Sequence, residues 1–262
     1  MLGDIFGATV DLTGCAALVT GGSGDLGRAI ALALAEAGAD VAVTWVGHRE
    51  GAVETSREVE RRGRRAAMLR LDQADPAAIG PAVEEAVAAL GRLDVLVNNA
   101  GWNTGIPFRD LEALTDEIWD HINDINLRGP FLLARAAARH LRARGTGRIV
   151  NVASVAGLKS HPYAAAYCAS KGGVVAMTRA IAVEYILRGV RVNCVCPGAV
   201  ETAILSQFMP PADADPKAIK RLMPVGRYAK PEELASTIVF LASDDASYVN
   251  GAIVVVDGGM IA

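Results

Sequence analysis

The chain has 262 residues, 52% of them hydrophobic and 21% charged, with 26 Lys and Arg against 29 Asp and Glu for a formal net charge of -3. That balance, without a basic block, argues against nucleic acid as a partner. No apolar run nears the ~20 residues of a membrane span, and residues 1–11 lack the basic and apolar regions of a signal peptide, so a soluble, cytoplasmic protein away from membranes is expected. The four cysteines are Cys15, Cys168, Cys194 and Cys196. Their spacing suggests neither a disulfide framework nor a zinc site, and they read as small buried residues.

Apolar, β-branched runs of strand length occur at 16–19, 41–46, 66–71, 95–97, 149–152, 190–195 and 253–256. The first helix repeats Leu26, Ile30 and Leu34 at spacing four and ends at Gly38. Further helical patterns cover 84–90, 116–144 and 164–187. The basic cluster from Arg61 to Arg65 falls at a helix end, where a solvated cap is the plain reading. Alternating strands and helices with nearly continuous apolar strands predict an α/β fold, a doubly wound seven-stranded parallel sheet flanked by helices. No linker divides the chain, so 1–262 is read as one domain.

Such a sheet binds ligands beyond the carboxyl ends of its strands, near the point where strand order reverses. The segments there are Gly21-Gly22-Ser23-Gly24, Asn98-Asn99-Ala100-Gly101, Ala153-Ser154 and Pro197-Gly198. Tyr167 and Lys171 stand four apart, one helical turn, so phenol and ammonium share a face and the cation is expected to bring the phenol nearer to neutral pH. A solvated surface pair is the alternative for that spacing alone. With Ser154 to polarise a carbonyl, Tyr167 is the expected proton donor for hydride chemistry. Ser154 and Asn126 taken singly could equally cap turns.

Together these segments resemble the short-chain dehydrogenase/reductase family, from about Val10 to the end of the chain. The resemblance rests on Thr20-Gly21, the Asn98 to Gly101 motif, Asn126 in Asn-Leu-x-Gly, the spacing of Ser154, Tyr167 and Lys171, Pro197-Gly198 with Thr202, and Val256-Asp257-Gly258-Gly259. It implies a Rossmann fold and an NAD(P)-dependent oxidoreductase moving a hydride between nicotinamide and a ketone or secondary alcohol. Asn126, Ser154, Tyr167 and Lys171 would be catalytic, with Asn126 holding a water that links Lys171 to solvent and Lys171 also reaching the nicotinamide ribose. Gly21, Ser23, Gly24, Asp25, Leu26 and Gly27 would face the pyrophosphate. Asp72 would meet the adenine, or else cap the helix near Pro76, a place Asp75 fits better. Asn98, Ala100 and Gly101 would let the adenosine half pass, and Pro197, Gly198 and Thr202 would border the carboxamide. Trp45 fills the strand-two position where NAD enzymes usually carry an acid, while His48 and Arg49 are available for a 2′-phosphate, so NADP is favoured over NAD.

The resemblance covers both 3-oxoacyl carrier-protein reductases and sugar-acid or polyol dehydrogenases, and it implies a homotetramer built on the two long helices. Specificity would come from Trp102, Asn103, Leu158, His161, Tyr163, Ile204, Phe208 and Met209, with a substrate lid at 203–224. One residue departs from the pattern. Asp25 stands at the second glycine of TGxxxGxG, where it could cap the first helix, repel the pyrophosphate or reshape the turn. Charge favours repulsion, so Asp25→Gly is expected to tighten cofactor binding. The alternative function that follows is a binding or regulatory protein with a degenerate cofactor turn.

Overall fold

The computed structural model describes residues 10–104, 111–159, 165–203, 205 and 223–262. His161, Tyr163, Ile204, Phe208, Met209 and most of the expected lid therefore lie outside the described residues. Seven parallel strands form one sheet in the order β3-β2-β1-β4-β5-β6-β7. They are β1 Ala16–Val19, β2 Asp40–Trp45, β3 Ala66–Arg70, β4 Val95–Asn98, β5 Gly147–Val152, β6 Val190–Pro197 and β7 Ile253–Val256.

The strands are apolar throughout because each feeds two cores. Ala17, Val19, Val41, Val43, Val95 and Val97 pack with α1 Asp25–Glu36 and α2 Arg49–Arg61 on one face. Ala16, Leu18, Ala42 and Leu96 pack on the other with α3 Pro76–Leu90. The period of two along each strand sends alternate side chains to opposite faces, so neither face can be polar. Strand order reverses between β1 and β4, which brings the glycine turn and Asn98 to Gly101 side by side.

The pattern at 116–144 is not one helix. It divides into α4 Asp116–Asn123, a π-helical turn Asp124–Arg128 and α5 Gly129–Arg142. Pro130 explains part of this, since it has no N–H to offer the Asn126 carbonyl one turn back. Gly129 adds a close approach, where a Cβ would come within 2.9 Å of the Gln73 Cβ. The pattern at 164–187 becomes α6 Ala165–Tyr185 with a 3₁₀ turn Ile186–Arg188, and that at 84–90 is the second half of α3. A further helix, α7 Pro231–Ala242, was not among the expected patterns, although Leu234, Ala235, Ile238, Val239, Leu241 and Ala242 share one buried face. Its start was legible all the same, for Pro231 sits in the first turn and Glu233 Oε2 accepts from the Lys230 amide at 2.8 Å.

Cys15, Cys194 and Cys196 form no disulfide among the described residues. Cys194 and Cys196 are buried as expected, but Cys15 and Cys168 are only partly so, because they lie at a strand entrance and in the first turn of α6.

Candidate active site

The glycine turn between β1 and α1 is braced from β2 and α2. Gly21 N donates to Thr44 Oγ1 at 3.1 Å and Gly22 N to the Thr44 carbonyl at 3.0 Å. From α2, Thr55 Oγ1 donates to the Gly22 carbonyl at 2.8 Å, and His48 Nδ1 lies 3.1 Å from the Ser23 carbonyl. Gly21 has φ +68°, and a Cβ on Gly27 would stand 2.2 Å from the Gly21 carbonyl oxygen, so no side chain fits at either place. Gly24 is the N-cap of α1 and provides no side-chain cap, and a Cβ there would meet only the Gly21 carbonyl oxygen, at an uncrowded 3.7 Å. First-turn amides of a helix lack acceptors within the helix and carry its positive pole. Bare backbone, outward donors and an open side make a cradle that fits the pyrophosphate of a dinucleotide. Ser23 and Leu26 are half-buried in the wall of this turn, and Leu26 packs on the core.

Asp25 neither caps α1 nor reshapes the turn. Its Oδ2 accepts from the Ala203 amide at 2.8 Å, so the side chain reaches across to the segment after β6. The turn keeps its cradle, which leaves the degenerate-site alternative without an observation behind it.

The second wall is tied to the first by Thr20. Its Oγ1 accepts from the amides of Asn99 at 3.0 Å and Ala100 at 2.9 Å, and Asn99 Nδ2 donates to the Thr20 carbonyl at 2.8 Å. Asn98 turns its side chain inward, donating to Asn151 Oδ1 at 2.8 Å, so the groups it can offer the cleft are main-chain ones. Gly101 passes so close to the catalytic helix that a Cβ would lie 3.5 Å from Lys171 Nζ and 3.3 Å from Asn126 Oδ1.

At the adenosine end, Trp45 closes β2 half-buried, with its buried Nε1 lacking a partner among the described residues. Arg49 opens α2 exposed and forms no ion pair among the described residues, whereas His48 is engaged with the glycine turn. Asp72 is exposed just past β3 and its Oδ1 accepts from the Ala74 amide at 2.9 Å. The capping of α3 falls to Asp75, whose Oδ1 accepts from Ala77 N at 2.9 Å. At the nicotinamide end, Pro197 closes β6 buried, and a Cβ on Gly198 would press at 2.8 Å on Asp257. That contact explains the terminal Val256-Asp257-Gly258-Gly259 motif: Asp257 accepts from the amides of Gly259 and Ile261 and folds the chain end beneath Gly198. Thr202 is half-buried and donates to the Val200 carbonyl at 3.3 Å.

The four expected catalytic residues converge. Ser154 follows β5, with its Oγ held by the Ala156 amide at 3.1 Å, and it hydrogen-bonds the Tyr167 phenol. Lys171 is buried one turn along α6, its Nζ lies 5.6 Å from the Tyr167 ring centroid, and it donates to the Val152 carbonyl at 2.9 Å. Asn126 Oδ1 accepts from Trp102 N, and its Nδ2 donates to the Trp102 carbonyl, both at 2.8 Å, and to Ser170 Oγ at 3.3 Å.

The electrostatics correct one expectation. Burial pushes the phenol of Tyr167 up to about 12, with the Ser154 hydrogen bond pulling the other way, instead of bringing it toward neutrality. Lys171 faces the ring more than the hydroxyl and uses a donor on Val152, so its charge does not offset desolvation. Burial also lowers Lys171 itself to about 8, against a smaller upward pull from Cys194 and Cys196. Near neutral pH the pair is therefore a neutral phenol beside a mostly charged ammonium, the state needed to give a proton to developing alkoxide.

The sequence reading named Asn98 for the cofactor but missed its partners Asn151 and Thr178, which help hold these groups still. Asn98, Asn151 and Thr178 form a buried chain, with Asn151 Nδ2 donating to Thr178 Oγ1 at 2.9 Å and Thr178 to the Val174 carbonyl at 2.8 Å. Thr44, Thr55 and Ser170 were missed also. Polar residues inside an apolar strand or helix were the available signal, because a buried polar side chain must find a partner.

A family model described as enoyl-(acyl carrier protein) reductase matches residues 22–261. The chain is 42% identical over 246 residues to cis-4-hydroxycyclohexanecarboxylate dehydrogenase of Sinomonas cyclohexanicum, covering 94% of this chain and 96% of that one. It is 40% identical to D-threitol dehydrogenase of Mycolicibacterium smegmatis, covering 95% and 93%. Among solved structures it is similar to a blue fluorescent protein from a metagenomic library in complex with NADPH, at 37% identity and TM-score 0.87, covering 96% of this chain and 100% of that one. With the cradle, the Ser154, Tyr167 and Lys171 geometry and these relatives in agreement, the chain belongs to the short-chain dehydrogenase/reductase family and is an NAD(P)-dependent oxidoreductase of CH–OH and C=O groups.

Proposed function

We propose that the protein interconverts a small ketone and its secondary alcohol with NADP(H) in preference to NAD(H), Tyr167 acting as general acid in reduction and general base in oxidation. The observation that carries this is the Tyr167 phenol bonded to Ser154 with the Lys171 ammonium buried behind it. The nicotinamide, when bound, supplies or accepts the hydride. Ser154 orients the carbonyl, and Tyr167 delivers the proton to its oxygen as negative charge develops there. Lys171, which donates to the Val152 carbonyl, would hold the nicotinamide ribose when the cofactor is bound, and its charge would favour the phenolate left behind. Because Pro130 cannot bond the Asn126 carbonyl, that oxygen is available for a water returning a proton to Lys171. Asn126's own side chain fixes Trp102, whose ring meets His121 edge-on with centroids 4.6 Å apart. We take Trp102, buried Asn103 and exposed Leu158 as part of the substrate wall.

Preference for NADP(H) rests on exposed Arg49 at the start of α2 and on the lack of an acid at Trp45. Assembly as a homotetramer is supported by two separate apolar faces: Phe131, Val183 and Leu187 on α5, α6 and the turn after it, and Phe240, Tyr248 and Val255 near α7 and β7. Leu187 is 95% and Val183 75% exposed in the single chain. Among the described residues no helix is long and apolar enough to cross a membrane. We place the protein in the cytoplasm, where thiols stay reduced and nicotinamide cofactors are supplied.

The test is a panel of cyclic and open-chain ketones and secondary alcohols assayed with each cofactor by nicotinamide absorbance. Turnover of at least one pair, faster at low NADPH than at low NADH, is expected. Cofactor binding without turnover of any pair would defeat the reading.

A further inference from the structure

We infer that Asp25 is a positioning residue that sets Thr202, at the nicotinamide end of the cleft, from the pyrophosphate end. The inference rests on the dinucleotide reading given above. Asp25 is the first residue of α1, directly after the Gly24 N-cap, and its Oδ2 accepts from Ala203 N at 2.8 Å, bridging 178 positions of sequence. On its far side the same stretch is anchored to Ala229. Val200 and Ala229 form a parallel bridge, Glu201 N donates to the Ala229 carbonyl at 2.9 Å, and Ala229 N donates to the Ala199 carbonyl at 3.0 Å. Among the described residues, Thr202 is thus flanked by these two attachments, while its own carbonyl accepts from Leu205 N at 3.0 Å. One is main-chain and independent of side-chain identity; the other exists only because residue 25 is an aspartate.

The glycine that the family pattern places here has no atom that could reach Ala203. Two opposite effects on the cofactor follow from the carboxylate. Its charge repels a pyrophosphate, but it is exposed, and solvent and salt screen that term. The hydrogen bond is local and charge-assisted, and it orders Thr202 before any ligand arrives, which removes an ordering cost from binding. The position of the acceptor, directed at an amide of the opposite wall, makes the second effect the larger one. Asp25 therefore replaces the freedom of a glycine with a fixed span across the cleft mouth.

The two effects separate cleanly with two ligands and two variants. NADPH has both pyrophosphate and nicotinamide, whereas 2′-phospho-ADP-ribose has the pyrophosphate alone. Asp25→Gly removes charge and acceptor together, and Asp25→Asn removes the charge but keeps an oxygen for Ala203 N. Measure both dissociation constants for each protein, and the exchange rate of the Ala203 amide without ligand. Asp25→Gly is expected to weaken NADPH roughly five- to tenfold, the scale of one exposed hydrogen bond, to leave 2′-phospho-ADP-ribose unchanged, and to speed exchange at Ala203. Asp25→Asn should resemble the parent in all three. Tighter binding of both ligands by Asp25→Gly, or parental exchange at Ala203 in that variant, would overturn the inference. Because exchange is read without nucleotide, the inference can fail there by itself. A parent that binds neither nucleotide overturns the dinucleotide reading and the role of Asp25 with it.

Discussion

On the reading proposed above, the groups that meet the ligand at the glycine turn are main-chain amides, and the side chains of Thr20, Thr44, Thr55 and His48 serve to hold them. At the catalytic end the order is reversed. There the working groups are the side chains of Ser154, Tyr167 and Lys171, set on β5 and α6 above the buried Asn98, Asn151 and Thr178 chain. The turn tolerates change in any side chain that points away but no added atom at Gly21 or Gly27. At the catalytic end the sensitive positions are the functional atoms of Ser154, Tyr167 and Lys171. The difference teaches where mutation should separate binding from turnover.

Lys171 belongs to both regions, so Lys171→Met should do the most damage. We expect turnover to fall by about 10²-fold or more and cofactor affinity to fall with it, since one ammonium serves the phenol and the ribose. An unchanged cofactor dissociation constant would confine Lys171 to the catalytic end. Next comes Gly27→Ala, whose Cβ would sit 2.2 Å from the Gly21 carbonyl oxygen and must displace the turn. A loss of roughly 1–3 kcal/mol in stability is expected, as for overpacking, with weaker cofactor binding but turnover at saturating cofactor largely kept. Urea titration and saturation kinetics check the two halves of that statement. Arg49→Ala is milder, costing about tenfold in NADPH affinity, the scale of one exposed charge-assisted contact, and nothing in NADH affinity. Equal losses for both cofactors would remove Arg49 from the 2′-phosphate site.

A further effect is on pH. Lys171 titrates at about 8 in the folded, cofactor-free protein and at 10.5 in its ordinary state. Below pH 8 both forms hold the proton and the burial cost is felt in full. Between about 8 and 10.5 the unfolded chain binds a proton that the native chain has released, so this group makes the fold more stable as pH rises. Comparing unfolding free energies of the parent and Lys171→Met at pH 7 and pH 10 isolates that contribution. The parent should gain on the variant over the interval, and parallel behaviour would mean that Lys171 is not desolvated.

The strands, their parallel sheet and the catalytic spacing were legible in the sequence, because alternation buries both faces of a strand and one helical turn fixes the offset from Tyr167 to Lys171. Less legible was anything decided by two distant segments meeting. The break at Asp124–Arg128 needed Pro130 to be read as a missing donor to Asn126, whereas α7 was legible in Pro231, Glu233 and the spacing of Leu234, Ile238 and Leu241 but was not read. Neither the reach of Asp25 to Ala203 nor the upward push on Tyr167 could be read from spacing. The first depends on where the chain after β6 returns. The second depends on how deeply the phenol is desolvated, which spacing to a lysine does not report.

The claim at the centre of this account is that Tyr167 gives and takes the proton while other groups bind the cofactor. Tyr167→Phe keeps the ring and removes only the hydroxyl, so NADPH titration and steady-state turnover on the same preparations test it directly. The account predicts an unchanged dissociation constant with turnover lowered by about 10²- to 10⁴-fold, the usual share of general acid catalysis. Most of the parental turnover surviving in the phenylalanine variant would contradict it.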